Sequence, residues 1–134
     1  IMLPVFEGGA EPVCLLGRQA SWPPGRMSAL AGFLEPGESI EEGCAREVKE
    51  EAGLTVVATR YHSSQPWPFP SQLMIGLIAE VSDDQARPDQ TELEAVAWLT
   101  RAEVRAVLAG AHPTIHAPPP IAIARSLLQA WVAE

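Results

Sequence analysis

The sequence predicts a mixed α/β (α+β) domain, and three features predict it. Strand-like and helix-like segments alternate along the chain, which favours sheets and helices packed in layers. Residues 39–53 carry helix start and stop signals at their two ends. Residues 73–81 form a short, almost continuously apolar run, as expected of a strand buried on both faces. A length of 134 residues fits one domain, residues 1–134, and 47% hydrophobic residues suffice for an ordinary core.

Each element has its own signal. Residues 1–6 and 12–17 read as strands joined by a turn containing Gly8 and Gly9. Residues 22–25 form a loop, and 28–33 a short apolar stretch. Ser39 and Glu42 make a capping-box pair, and Gly53 suits the left-handed position after a helix, so a helix occupies 39–53. Residues 54–61 are rich in Val and Thr and read as a strand. In 64–70 prolines alternate with other residues. The missing N–H groups and fixed φ exclude a helix or a central strand and leave a stiff extended piece. Strands at 73–81 and 94–99, a helix at 101–108, a proline-containing loop at 109–120 and an amphipathic helix at 121–132 complete the chain.

Charge and composition exclude several functions. Nine Lys and Arg against seventeen Asp and Glu give a net charge of −8. The basic footprint of broad nucleic-acid binding is missing, and an anionic membrane surface is disfavoured. No apolar run approaches the ~20 residues of a membrane span, and no secretory signal is visible. Cys14 and Cys44 stand in no metal-ligand spacing, and His62, His112 and His116 do not cluster. Such sparse cysteine usage fits a reducing compartment, and a cytoplasmic location is expected. The chain opens as if within a strand, so it is expected to be the C-terminal part of a longer protein.

The helix at 39–53 carries the chemistry. At about 100° per residue, Ile40, Cys44, Val48 and Ala52 form one buried stripe. Glu47 and Glu51 fall beside or inside that stripe, with Glu50 at its edge. Glu47, Glu50 and Glu51 are i, i+3 and i+4 neighbours, so like charges converge at the margin of a core. A hard divalent cation relieves that repulsion, and Mg²⁺ keeps water positions for substrate phosphates. An acidic solvated helix would show the same E-x-x-E-E pattern. Arg46, four residues before Glu50, can pair with it and orient it.

The longer segment resembles the Nudix box. Gly32, five residues, Glu38, seven residues and then Arg46-Glu47-Val48-Lys49-Glu50-Glu51-Ala52-Gly53-Leu54 agree with it at every defined position. The resemblance implies the Nudix fold, a mixed β-sheet sandwiched between α-helices, with the box as a loop–helix–loop. It also implies that Glu47, Glu50 and Glu51 bind Mg²⁺ or Mn²⁺. Asp89–Leu93 resembles the family segment that supplies one more metal-binding glutamate, which Glu92 fits. Ala31 matches a residue whose carbonyl contacts metal, and Phe33 an aromatic that packs on the nucleotide base.

In 64–70, alternation puts Trp67 and Phe69 on one side of an extended backbone, where they offer stacking faces for a base. A rigid surface loop or a polyproline ligand would have the same composition. The run Ser64-Gln65-Pro66-Trp67-Pro68-Phe69-Pro70 resembles the signature of NADH pyrophosphatases, a Nudix branch that cleaves NAD(H) to nicotinamide mononucleotide and AMP. It departs at the last place, where Gln72 stands for the expected serine beside Ser71. The segment from Pro118 to Arg125 resembles the start of the family's last helix, where Ala124 takes a substrate-contacting position.

The resemblance therefore implies a metal-dependent NAD(H) diphosphatase, with removal of NAD caps from RNA 5′ ends as an extension. Its catalytic set would be Glu47, Glu50, Glu51, Glu92 and Arg46, with Glu50 or Glu92 as general base. Its substrate-binding set would be Phe33, Gln65, Pro66, Trp67, Pro68, Phe69, Pro70, Ser71, Gln72 and Ala124. Family members are usually homodimers, and a structural zinc would belong to an upstream ribbon only. The alternatives are hydrolysis of ADP-ribose or dinucleoside polyphosphates, and a non-catalytic nucleotide-binding Nudix domain. The intact box glutamates argue against the last.

Overall fold

A computed structural model describes residues 1–68 and 71–134; Phe69 and Pro70, part of the proline-aromatic run, lie outside the described residues. Five strands form one sheet: β1 (Met2–Phe6), β2 (Val13–Arg18), β3 (Val56–Trp67), β4 (Gln72–Val81) and β5 (Ala95–Thr100). Their order is β3-β4-β1-β2-β5. β1 runs parallel to β4, and the other neighbours are antiparallel, so the sheet is mixed.

Among the described residues three helices cover it: α1 (Ile40–Ala52), α2 (Arg101–Leu108) and α3 (Ile123–Val132). The period-2 alternation of the strands sorts the core into two layers. Leu3, Val5, Cys14, Leu16 and Ile78 face one way and pack with Val104 and Val107 of α2 and with Ala124, Leu127, Leu128 and Trp131 of α3. Met2, Leu15, Leu77, Ala79 and Val81 face the other way, against Cys44, Val48 and Ala52 of α1. The sheet is thus sandwiched between helices, as the resemblance implied. Strand β1 and the middle of β4, residues 76–79, are buried on both sides, which explains why 73–81 reads as almost continuously apolar.

Two of the differences from the expected boundaries bear on the site. β3 does not stop at residue 61 but continues through Pro66 to Trp67, paired with β4 down to Trp67 opposite Gln72. Its place at the sheet edge is what permits proline there. The last helix starts at Ile123 rather than 121, because a turn follows Pro118-Pro119-Pro120. Among the described residues no helix is long and apolar enough to cross a membrane.

Candidate active site

The capping box predicted for α1 is formed. The Glu42 N–H donates to Ser39 Oγ at 3.1 Å, and the Ser39 N–H donates to Glu42 Oε1 at 2.9 Å. Gly53 closes the helix at φ 70°, in the left-handed region. With both ends fixed, the buried stripe comprises Cys44, Val48 and Ala52, and Glu51 lies within it at 3% exposure. It is the one fully buried charged side chain among the described residues.

Glu47, Glu51 and Glu92 each present a carboxylate oxygen within 4.8 Å of the other two. The loop before β5 delivers Glu92. Backbone N–H groups of Arg87 and Asp89 donate to the carbonyls of Ala52 and Glu51 at 2.7 and 3.0 Å, tying this loop to the end of α1. Asp89 Oδ1 then accepts from the N–H groups of Glu92 and Leu93 at 3.1 and 2.9 Å, an Asx-type turn that fixes the next residues. Burial first, then the neighbouring carboxyls of Glu92 and Glu47, push the Glu51 carboxyl up to about 9. Glu51 Oε2 is buried without a hydrogen-bond partner. Three converging carboxylates, one of them with an orphaned buried oxygen, are a hard-oxygen donor set that fits a divalent cation.

Glu50 stands apart from this trio. It is 58% exposed at the side chain and pairs with Arg46 at 3.2 Å. Arg46 gathers more than Glu50. Its guanidinium forks onto Glu38 at 2.6 and 2.9 Å, donates to Glu47 at 2.8 Å and to the Phe33 carbonyl at 3.0 Å. The fork, together with the Glu35 N–H, holds the Glu38 carboxyl down at about 2. One arginine therefore fastens the 33–38 loop to the helix face that carries Glu47. Gly32 has a steric reason as well: a Cβ there would overlap the Glu47 carboxyl.

A cleft of about 720 Å³ opens beside the carboxylates. Ala31, Phe33, Glu47, Glu92 and Gln72 line it, together with Leu73, Met74 and Gln19, which sequence reasoning did not single out. Phe33 and Leu73 are large apolar side chains left 73% and 63% exposed, as stacking walls of an open site would be. Among the described residues, Gln65, Pro66, Trp67, Pro68, Ser71 and Ala124 are not part of its lining. Trp67 is half-buried opposite Gln72. Ala124 is buried at 4% in the first turn of α3. The Gln65 amide spans to α3, donating to the Ile121 carbonyl at 2.6 Å and accepting from the Ile123 N–H at 3.0 Å. Glu38 and Asp89, the braces of Arg46 and Glu92, carried a signal only through the resemblance, Glu38 as a defined position of the box and Asp89 as the first residue of the segment 89–93.

Residues 1–118 match the family model described as NUDIX domain. The NAD-capped RNA hydrolase NUDT12 of Homo sapiens is 46% identical over 133 residues, covering 98% of this chain and 28% of that protein. The NAD-capped RNA hydrolase NudC of Mycobacterium bovis (strain BCG / Pasteur 1173P2) is 45% identical over 136 residues, covering 96% of this chain and 43% of that protein. The chain thus spans less than half the length of either relative. Among solved structures, a Caenorhabditis elegans Ap4A hydrolase binary complex superposes with TM-score 0.67 at 22% identity, covering 98% of this chain and 93% of that one. The NUDIX domain of Shewanella oneidensis NrtR complexed with ADP ribose superposes with TM-score 0.69 at 14% identity, covering 96% and 80%. At such identities these two structures show the shared fold alone.

Proposed function

The chain belongs to the NUDIX domain family, and from that membership we propose that it hydrolyses the pyrophosphate bond of NADH or NAD⁺ to nicotinamide mononucleotide and AMP. The observation that carries the chemistry is the trio Glu47, Glu51 and Glu92, with an unsatisfied buried oxygen on Glu51, at the edge of an open cleft. The substrate class rests on the two relatives' names, NAD-capped RNA hydrolases, and on the run at 64–70.

In this reading Glu47, Glu51 and Glu92, with the Ala31 carbonyl, would hold Mg²⁺ or Mn²⁺, and the ion would supply charge neutralisation for the pyrophosphate and a more acidic water. The protein's own residues supply the rest. Arg46 keeps Glu47 turned toward the cleft. Phe33 offers an exposed ring face to a base, with Trp67 and Gln72 at the hairpin end opposite it in role. Glu50 or Glu92, both solvent-accessible, takes the proton of the attacking water.

A second reading, favoured by the same two names, is removal of an NAD cap from RNA. The net charge of −8 points to a capped end held by its dinucleotide, with little backbone contact. We further propose a homodimer in a reducing, cytoplasmic setting; the buried thiols of Cys14 and Cys44, both unbridged, agree with such a setting.

The test is product analysis with NADH, NAD⁺, ADP-ribose, diadenosine polyphosphates and NAD-capped RNA, with Mg²⁺ or with EDTA. Metal-dependent release of reduced nicotinamide mononucleotide and AMP, faster than any other cleavage, is the expected result. Cleavage of ADP-ribose without cleavage of NADH would discard the substrate assignment and keep the chemistry. No cleavage of any of them would leave a binding domain.

A further inference from the structure

We propose that Gln65 is a positioning residue that acts through α3, and that it makes no contact with the dinucleotide. The inference rests on the hydrolase reading above for its substrate. Its grounds lie in how the first turn of α3 is satisfied.

A helix start leaves backbone donors without intrahelical partners, and a side chain at the N-cap usually takes one of them. Here the N-cap is Ala122, which has no side-chain acceptor. The missing cap comes from 58 residues away: Gln65 Oε1 accepts the Ile123 N–H at 3.0 Å. The other end of the same amide donates to the Ile121 carbonyl at 2.6 Å. One planar group thus satisfies a donor and an acceptor two residues apart, clasping the turn that precedes the helix.

The clasp fixes more than the helix. Ile123 is buried at 4%, and its Cδ1 sits where Gly76 on β4 leaves room; a Cβ at Gly76 would stand 3.1 Å from it. The first residue of α3 is therefore held between Gln65 on β3 and Gly76 on β4. From Ala124 to Trp131 the helix is anchored in the core. The end of the β3–β4 hairpin, by contrast, is a two-stranded ribbon, and such ribbons are marginal when unsupported. In that ribbon Gln65 pairs with Met74 and Trp67 with Gln72. Met74 and Gln72 line the cleft. The rigid partner is thus α3, and the part that gains a defined position is the cleft wall.

A positioning role and a direct contact predict different outcomes. In Gln65→Ala, KM for NADH should rise about tenfold with kcat within about threefold, the pattern of lost binding geometry. In the same ligand-free variant, hydrogen exchange at the Ile123 amide should speed up at least about tenfold. Gln65→Glu keeps the volume and the acceptor for Ile123 but sets oxygen against the Ile121 carbonyl. It should retain slow exchange at Ile123 with an intermediate KM, and it carries the test if the alanine variant does not fold.

A raised KM with Ile123 exchange unchanged would return Gln65 to direct contact and overturn the proposal. Faster exchange with KM unmoved would make the clasp merely structural, which also overturns it. If the wild type does not cleave NADH, the hydrolase assignment fails separately. The Gln65 comparison then runs on whichever of ADP-ribose or diadenosine polyphosphate the wild type does cleave.

Discussion

A carboxylate oxygen of Glu92, on the loop before β5, lies within 4.8 Å of one on Glu51, which is buried in the core-facing stripe of α1. Two carboxyls this close, one of them dehydrated, need a proton or a cation between them. Burial and these neighbours raise Glu51 to about 9, whereas a glutamate in the unfolded chain titrates near ~4.3. The folded value is the higher one. Stability from the protonated form is therefore complete below about pH 4 and is lost as pH rises through about 9. At pH 7 the metal-free protein has therefore lost part of this stability. The difference in Tm between Glu51→Gln and wild type, both in EDTA, should grow in favour of the variant from pH 5 to pH 9. Saturating Mg²⁺ should reverse it. A Tm difference flat with pH would mean that Glu51 is not strained in the metal-free state.

The trio and Glu50 should part company in activity. Glu47, Glu51 and Glu92 converge, while Glu50 is turned to Arg46 and is 58% exposed. Loss of a group that merely supports a ligand costs roughly 10–100-fold, and loss of a ligand at least as much. Glu51→Gln should therefore lower kcat by about 100-fold or more at saturating Mg²⁺, and Glu50→Gln by at least about tenfold less than that. Equal losses in steady-state kinetics would put Glu50 among the metal ligands or decide for it over Glu92 as the general base.

Gly32 sets a close approach that alanine cannot match. Its missing Cβ would overlap the Glu47 carboxyl, a flexible side-chain end. The fold can yield there, but Glu47 cannot stay in place. Gly32→Ala should keep Tm within a few degrees, since the cost is local and on the order of 1 kcal/mol. The Mg²⁺ concentration for half-maximal rate should rise about tenfold or more. An unaltered metal titration would show that Glu47 has another productive position.

Much of this site is legible in the sequence because its parts are local. Ser39, Glu42 and Gly53 announce the ends of α1, and the spacing of Glu47 and Glu51 against Cys44 and Val48 places carboxylates at the core margin. The extension of β3 through Pro66 is harder to read, since proline permits a strand only at an edge and edge position is a property of the whole sheet. Glu92 meets Glu51 through backbone bonds from Arg87 and Asp89 to the end of α1, a long-range junction with no periodic signal. Gln65 illustrates the same limit. Its place in a substrate-like motif suggested a ligand contact, and no local pattern announced that its amide bonds the start of a helix 58 residues later.

Arg46 offers the sharpest test of how the loop and helix are joined. Its planar fork makes two bonds to Glu38, at 2.6 and 2.9 Å, and still reaches Glu47 at 2.8 Å. A lysine has one ammonium and cannot supply those directions together, so the substitution is not conservative here. The side chain is partly exposed, at 21%, so screening limits its contribution to stability. Its contribution to function is larger, because it turns Glu47 and ties down the loop bearing Phe33. Arg46→Lys should lower kcat about 10–100-fold, the range for groups that orient a metal ligand, with Tm within a few degrees of wild type. It should also release Glu38 from its low pKa of about 2 toward the ordinary carboxylate range, readable by carboxyl-carbon NMR titration. Full activity with Glu38 released would show that Glu47 is held by the metal alone, and would reduce Arg46 to a surface tether.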